Sequence, residues 1–240
     1  MIDVRIEPVI TEAAPALAVL TIEAEVTNRP TPEALSALLD EEARLIADTY
    51  EMAMINKRPA IAATRAAYKA LGKEPNRYRP SSEALCRRVV KGMGLYRIDA
   101  LVDMINLLSM RSGHSIGGFD ADKIDGPVIT LGRGEAGEPY EGIGRGMLNI
   151  EGMPVYRDAT GGIGTPTSDN ERTKIDLSTR RLLMVVNAYG SSEVTMAEFV
   201  EQARGLLEEF CDARITRIAL WNHREDGPQA VTNAITPSGD

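Results

Sequence analysis

The sequence predicts an α+β fold with mixed and antiparallel sheets in a sandwich-like, three-layer core under covering helices. Three observations support this prediction. Helix-period apolar patterns fill much of the chain between residues 30 and 112, short apolar runs broken by glycine follow them, and a strand, a helix and a strand come last. The length of 240 residues is enough for a large core and by itself allows one domain or two small ones. We expect a single domain over 1–240, made of two joined halves.

The N-terminal portion, 1–78, is expected to contribute two strands and two helices. The apolar runs at 2–10 and 17–26 predict the strands, which we expect to pair with each other. A proline-bearing break at 30–32 precedes an amphipathic helix, since prolines stop one element and start the next. A second helix is predicted over about 59–71, with a glycine directly after it.

The next stretch, 79–120, combines two helical patterns with a polar segment that is rich in glycine. Ser81 or Ser82 can cap the first helix. Four residues of the second helix have the spacing of a buried stripe: Leu101, Met104, Ile105 and Leu108. Three others share a neighbouring polar face: Asp99, Asp103 and Asn106. Glycines then break the helix, and we expect 113–120 to be a loop around His114.

After residue 120 the pattern changes to short strands separated by glycine, which predicts antiparallel hairpins. Candidate strands are 127–131, 147–150 and 153–157. The polar segment 158–173 is expected to be a long loop, either a mobile surface loop or an ordered site loop. A buried strand at 182–188, a helix after the capping box of Thr195 and Glu198, and a strand at 215–221 complete a crossover.

Charge and composition restrict the classes of function. The chain has 27 Lys and Arg against 35 Asp and Glu, a formal net charge of -8, which argues against a general nucleic-acid backbone binder. A local basic surface for RNA remains open because Arg79, Arg87, Arg88 and neighbouring cations cluster. We expect no membrane partner and a cytoplasmic location, since neither a basic leader nor an apolar run of roughly 20 residues is found.

Common catalytic signatures are missing from the sequence. It contains no P-loop, no dinucleotide fingerprint after a strand, no CxxC pair and no HExxH. Its two histidines, His114 and His223, are too few for an all-histidine zinc triad, and Cys86 and Cys211 are expected to be buried thiols. We therefore expect neither a cofactor nor a metal.

Four segments, in order along the chain, carry a family resemblance. They are VDMIN at 102–106, GHSIGGFD at 113–120, GRGEAGEPYEGIG at 132–144 and VYRD at 155–158. Together they resemble the tRNA-editing domain, called the B-three/B-four unit, of the bacterial phenylalanyl-tRNA synthetase beta subunit, and its stand-alone relatives. The agreement extends over 79–188, and the resemblance implies a domain of this type over about 79–221.

The resemblance implies site residues one by one. In that family the domain hydrolyses tyrosine wrongly attached to the phenylalanine tRNA, and the glutamate that recognises the noncognate side chain corresponds by position to Glu171. A carboxylate can accept a hydrogen bond from a phenol, which phenylalanine does not offer. The family's loop histidine corresponds to Gly117, three residues after His114, and its site arginine corresponds to Tyr96, one residue before Arg97.

The candidate substrate-binding residues are therefore Glu171, His114, Asn106, Arg97 and Thr173. Catalytic residues are left unassigned. For Asn106 and His114 the structural alternatives are a hydrogen bond near the helix end and a structural or exposed side chain. A further group, Asp169, Arg172 and Thr173, orients a ligand or pairs within itself. A pocket is expected between 113–120 and 166–173, with the Glu171 carboxylate at its specificity end.

Two classes of function follow from this reading. The first is a free-standing tRNA-binding and editing-like domain that binds an aminoacyl-tRNA end or an amino acid and hydrolyses the ester of a mischarged tRNA, not a complete aminoacyl-tRNA ligase. The second is a noncatalytic small-molecule or protein binding module that kept the fold. A structural remnant without a ligand is the third alternative. The oligomeric state is left open.

Overall fold

The computed structural model describes residues 1–222 and, as backbone, 229–231; His223 lies outside the described residues. The helices are α1 Pro8–Ala13, α2 Glu33–Thr49, α3 Pro59–Ala70, α4 Ser81–Val90, α5 Ala100–Ser112 and α6 Met196–Cys211. The strands are β1 Asp3–Ile6, β2 Ala18–Glu25, β3 Ser115–Asp120, β4 Val128–Arg133, β5 Glu141–Gly142, β6 Gly146–Met147, β7 Pro154–Arg157, β8 Gly162–Gly164, β9 Arg181–Ala188, β10 Arg214–Asn222 and β11 Gln229–Val231. The α+β class is confirmed.

The larger sheet has five antiparallel strands in the order β11, β10, β2, β9, β3. Its central strands, β2 and β9, are apolar on both faces. Leu182, Met184 and Val186 of β9 pack on one side with the helices, whereas Leu183 and Val185 face the opposite core. Burial on both faces explains the near-continuous apolar run that predicted this strand.

The smaller sheet has the order β1, β4, β7, β8, and it is mixed because β1 and β4 are parallel while the other pairs are antiparallel. Its apolar face shares a core with the larger sheet, where Ile129 and Leu131 of β4 meet Leu183 and Val185 of β9. Helices α2, α4, α5 and α6 contribute to the core on the opposite face of the larger sheet. The described residues thus form three layers: helices, five-stranded sheet and four-stranded sheet.

Two predictions for the N-terminal portion are wrong. The strand expected over 2–10 ends at Ile6, since Pro8 stands at the first turn of α1, where its missing N–H is tolerated and its fixed φ suits a helix. The expected pairing of the first two strands does not occur. β1 pairs with β4, and β2 lies between β9 and β10.

Helix α5 forms as its pattern predicts, with the stripe of Leu101, Met104 and Leu108 fully buried. The carboxylate of Asp99 caps it by accepting from the Val102 N–H at 2.9 Å, and Gly113 ends it with a φ of 73°. In α4 the expected serine cap is wrong: Pro80 occupies the N-cap position and both serines are helical.

The loop expected over 113–120 is wrong, because 115–120 form the buried strand β3 beside β9. Its glycines are required by close packing. A Cβ on Gly118 would lie 2.5 Å from Cδ1 of Ile105, so α5 can approach β3 only where the strand has no side chain. The polar segment 158–173 is also partly regular, since it contains β8 and a 3-10 turn at Glu171–Thr173.

The strand expected at 147–150 is largely wrong, since only Met147 of that range pairs, in the short hairpin of β5 and β6. This hairpin has two residues in each strand, and its glycines at 144 and 146 take positive φ values of 64° and 66°. Within the described part of the chain, none of the helices combines the length and apolar character that crossing a bilayer requires.

Candidate functional site

A cavity of about 400 Å³ lies between α4, α5, β3 and the segment 165–175. It borders both segments between which the sequence predicted a pocket. The apolar lining residues are Leu85, Ile98, Val102, Ile105, Ile116, Ile143 and Ile175. The polar ones are Ser81, Asn106, Ser109, Thr165, Ser168, Asp169 and Lys174. A concave, mostly apolar space with a few polar groups is the usual form of a small-molecule site.

The loop 165–169 presents its side chains to the cavity through local hydrogen bonds. The Thr165 hydroxyl accepts from the backbone N–H groups of Thr167 and Ser168, at 3.2 and 3.1 Å, and donates to the Ser168 carbonyl at 3.0 Å. A bridge from Asp169 to Gly164 of β8 then fixes the end of the loop. Short side chains that bond to nearby backbone groups stabilise such turns without a helix or a strand.

Among the described residues that line this cavity, Asp169 is the only one with a carboxylate. Its Oδ2 accepts from the backbone N–H of Gly118 at 3.1 Å, and its Oδ1 has no hydrogen-bond partner within the described residues. Burial raises the pKa of Asp169 to about 7, with the Gly118 N–H opposing the change. The carboxyl group is therefore partly protonated near neutral pH and keeps one oxygen for a further partner.

The group of Asp169, Arg172 and Thr173 does not pair within itself. The Arg172 guanidinium binds the carboxylate of Asp158, at 2.7 and 2.9 Å. Burial by itself raises the pKa of Asp158, but the Arg172 hydrogen bonds, two backbone N–H groups and the Arg172 charge outweigh it and hold the pKa below its ordinary value. Thr173 is fully buried, and its hydroxyl has no partner among the described residues. The Asp169 carboxylate is thus without the cation nearest to it in sequence.

Glu171 stands beside the rim of the cavity and does not line it. Its carboxylate accepts from Lys174 Nζ at 2.5 Å and from the Gly144 N–H at 3.1 Å, and these bonds hold the pKa of Glu171 below its ordinary value. Lys174 lines the cavity, as does Ile143, next to Gly144. Glu171 therefore connects two parts of the rim, the 171–174 turn and the β5–β6 hairpin.

The other candidates stand at different distances from the cavity. Asn106 lines it directly. Arg97 bonds to the Ser36 hydroxyl at 2.8 Å and to Asp40 at 2.6 Å, which attaches the segment before α5, including the lining residue Ile98, to α2. The structure thus brings one of the five predicted residues, Asn106, into the cavity wall.

His114 lies behind the wall of the cavity and is 3% exposed. Its carbonyl accepts from the hydroxyl of Ser109, a lining residue, at 2.7 Å, and its Nδ1 has no partner in the described part of the chain. Burial lowers the pKa of His114 to about 4, so the imidazole is neutral at physiological pH.

The basic cluster considered as an RNA surface is partly neutralised by neighbouring carboxylates. Arg87 pairs with Glu83 at 2.7 Å, and Arg111 pairs with Glu42 at 3.0 Å. The Arg88 guanidinium lies 4.3 Å from the ring centre of the exposed Tyr96. Among the described residues, no group of three or more His, Cys, Asp and Glu is placed to hold a metal ion.

The sequence analysis chose Glu171 as a candidate substrate-binding residue in preference to Asp169, although both lie in the same polar segment. The usable signal was a carboxylate in a long segment with few apolar residues, close to the predicted pocket. What distinguishes the two is burial, since the Asp169 carboxyl group faces an apolar cavity and Glu171 faces its rim. This difference in burial is produced by elements distant in sequence, so no pattern of neighbouring residues predicts it.

Comparisons with known proteins give one family match, one partly matching curated relative and one solved structure. A family model described as "B3/4 domain" matches residues 63–220. The phenylalanine–tRNA ligase beta subunit of Bartonella quintana (strain Toulouse) is 33% identical over 97 residues, which are 40% of this chain and 12% of that protein. An N-terminal fragment of the phenylalanyl-tRNA synthetase beta subunit from Pyrococcus horikoshii matches with a TM-score of 0.48 and 13% identity, over 96% of this chain and 54% of that one. The chain thus spans a small part of the curated relative and about half of the Pyrococcus horikoshii fragment.

Proposed function

Because the chain belongs to the B3/4 domain family, we propose that its cavity binds an aminoacyl group, as a free amino acid or at the end of an aminoacyl-tRNA, and hydrolyses the ester of a mischarged tRNA. The observation that carries this proposal is the cavity itself. A space of about 400 Å³ lined by both aliphatic and polar side chains suits a molecule that has an apolar side chain and a polar backbone.

The chemistry asked of the cavity is modest. Hydrolysis of an activated ester needs a positioned water and hydrogen-bond donors for the carbonyl oxygen, where negative charge develops in the transition state. The amide of Asn106 has no hydrogen bond to another described side chain or backbone group, and the Lys174 ammonium has three N–H groups, of which one binds Glu171. These two donors are our candidates for contacts to the carbonyl group.

The remaining candidates support the cavity in this proposal. Glu171 and Thr173 both lie in the turn that precedes Lys174. The Glu171 carboxylate accepts from the Lys174 ammonium and from the Gly144 N–H, so it controls the position of the ammonium and of the β5–β6 hairpin. Arg97 holds the segment that carries Ile98, and the His114 carbonyl orients Ser109. Contact of Glu171 with the ligand side chain, as the family resemblance implies, is part of the proposal.

The proposal is tested by hydrolysis and binding together. We would incubate the protein with a panel of misacylated tRNAs, measure release of the amino acid, and record melting shifts with free amino acids. Hydrolysis and a melting shift together support the full proposal. A shift without hydrolysis supports the noncatalytic binding module, which the net charge of -8 and the paired arginines favour. The absence of both hydrolysis and a melting shift would contradict both functions.

A cavity-filling variant connects either result with this cavity. Val102→Phe adds a ring on the lining face of α5 and should abolish hydrolysis and ligand-induced shifts. Val90→Phe is the matched control. Val90 is also half-buried and lies on α4, a helix that contributes lining residues, but Val90 itself does not line the cavity. Equal loss of function in both folded variants would place the activity elsewhere.

The role of Glu171 is tested by selectivity. Glu171→Ala should change the preference between hydroxyl-bearing and hydroxyl-lacking amino acids by roughly ten- to a hundredfold, the value of a hydrogen bond to a charged group. Stability should change little, since the carboxylate bonds only near the surface. An unchanged ratio would mean that Glu171 is a surface charge without a part in recognition.

A further inference from the structure

We propose that Asp169 is the counter-ion for an ammonium group of the ligand, so that the cavity selects compounds in which a cationic amine is joined to an apolar side chain. This inference rests on the proposed binding of an aminoacyl group and names the part of that group which the cavity recognises. It assigns the ligand amine to a specific carboxylate of the cavity wall.

The position of the carboxyl group is the first reason. One oxygen, Oδ2, is held by the Gly118 N–H at 3.1 Å, which fixes the side chain against β3. The other oxygen, Oδ1, has no hydrogen bond among the described residues and lies next to Gly117 and Gly164, since a Cβ on these glycines would be 3.3 and 3.0 Å from it. Asp169 also lines the cavity. A fixed carboxylate with one free oxygen is suited to accept a charge-assisted hydrogen bond from a ligand.

The second reason is the missing counter-charge. The two neighbouring cations in sequence are both engaged, since Arg172 binds Asp158 at 2.7 Å and Lys174 binds Glu171 at 2.5 Å. Within the described residues, no lysine, arginine or histidine forms a salt bridge with Asp169. A carboxylate that is largely withdrawn from water and has no cation is costly when ionised, and an arriving ammonium offsets that cost.

None of the described groups around Asp169 supplies the positive charge that we assign to the ligand. Glu171 and Lys174 at the rim neutralise each other. The Tyr140 hydroxyl donates to the Ser168 carbonyl at 2.6 Å and stays neutral, because burial raises the pKa of Tyr140 far above the physiological range. The lining polar residues of α4 and α5, which are Ser81, Asn106 and Ser109, carry no charge.

The aliphatic lining residues provide the contacts for the apolar side chain of the ligand. Ile105 and Ile175 border Gly118, and a Cβ at position 118 would lie 2.5 and 2.8 Å from their terminal methyl carbons. The N–H of the same glycine holds the Asp169 carboxylate. One glycine of β3 thus lies between an apolar surface and the proposed ammonium position, and a compound with an amine next to an apolar side chain fits both.

Binding should therefore be coupled to protonation. With a pKa of about 7, Asp169 carries a proton in part of the free protein at neutral pH, and an ammonium binds only the ionised form. Affinity for an amine should rise about tenfold between pH 6 and pH 8, and binding at pH 7 should release protons. A carboxylate with its ordinary pKa would produce neither effect in this range.

The test uses matched compounds and calorimetry on the full chain. Phenethylamine and tyramine carry the amine, 3-phenylpropionate lacks it, and free phenylalanine and tyrosine carry both polar groups. The amine-bearing compounds should bind about ten- to a hundredfold more tightly than the deaminated one. Titrations at pH 7 in two buffers with different ionisation heats should reveal proton release.

Two variants separate recognition from folding. Asp169→Asn keeps an acceptor for the Gly118 N–H and should fold, but it should lose the amine preference, the proton release and the pH dependence. Asp125→Asn removes an exposed carboxylate that accepts from Thr160 at 2.9 Å, outside the cavity, and should retain all three.

The failures are distinguishable. Binding of the amines and of 3-phenylpropionate with equal affinity, or an amine preference that persists in Asp169→Asn, would overturn the inference and leave the proposed binding of an aminoacyl group in place. If none of the five compounds binds and no misacylated tRNA is hydrolysed, the proposed function fails and this inference fails with it.

Discussion

Two carboxylates of this protein, the buried Glu83 and the half-buried Asp169, have opposite surroundings. Glu83 of α4 is completely buried and accepts from Arg65 at 2.8 Å and from Arg87 at 2.7 Å, so both of its oxygens bind guanidinium groups. Asp169 accepts a single backbone N–H at 3.1 Å and has no cation within the described residues. The first site is complete within the chain and stabilises the fold. The second keeps bonding capacity, as a ligand site requires.

The largest expected effect on stability comes from removing the charge of Glu83, which both arginines bind. Glu83→Gln should lower the free energy of unfolding by about 3 to 5 kcal/mol, because Arg65 and Arg87 lose their counter-ion while Arg65 stays largely buried. Urea unfolding measures this difference. The exposed pair of Arg97 and Asp40 gives the control, since Asp40→Asn should cost less than about 1 kcal/mol. Similar losses in the two variants would remove the contrast between buried and exposed pairs.

Asp169 should behave in the opposite way when it is neutralised. Its pKa rises from 3.8 in the unfolded chain to about 7 in the fold, so between these values the native state holds a proton that the unfolded state has released. Its contribution to stability therefore falls as pH rises through this window. Asp169→Asn should be more stable than the parent at pH 8, by about 1 to 3 kcal/mol, and the gain should vanish near pH 4. A variant that is less stable at pH 8 would contradict this prediction.

His114 sharpens the comparison because its shift has the opposite sign. Its pKa falls from 6.5 to about 4 on burial, so the unfolded chain binds a proton that the native state excludes, and stability from this group rises with pH between 4 and 6.5. The two groups partly cancel in the parent. In His114→Gln the stability difference between pH 6.5 and pH 4.5 should shift by about 1 to 2 kcal/mol in favour of low pH. An unchanged pH profile from urea unfolding would argue that burial does not shift the His114 pKa, so that the imidazole titrates in the fold as it does in the unfolded chain.

The smallest expected effect belongs to an amide of the cavity. Asn106→Ala should change the free energy of unfolding by less than about 0.5 kcal/mol, because the side chain faces the cavity and has no described partner. Asn28 is the matched amide, whose side chain donates to the Asp176 carbonyl at 2.9 Å and accepts from the Leu101 N–H at 3.2 Å. Asn28→Ala should cost about 1 to 3 kcal/mol. Equal costs in urea unfolding would mean that Asn106 is also a structural residue.

The sequence by itself determined the elements whose cause is local. The stripe of α5 follows from helical spacing, and the capping box of α6 forms as predicted, with Glu198 N–H donating to the Thr195 hydroxyl at 3.2 Å. The apolar run at 182–188 became a central strand, and the α+β class followed from the succession of these patterns. The four motif segments also identified the family correctly. Each of these signals lies within a few neighbouring residues or in an ordered set of short motifs.

The tertiary structure decided what depends on partners distant in sequence. Gly117 and Gly118 favour a loop by local propensity, yet pairing with β9 and the approach of Ile105 make them part of a buried strand. β1 pairs with β4 instead of its neighbour in sequence. The cavity and the raised pKa of Asp169 likewise arise only when β3, α5 and the 165–175 segment converge. Desolvation depends on every atom that surrounds a group, and a linear pattern does not contain those distances.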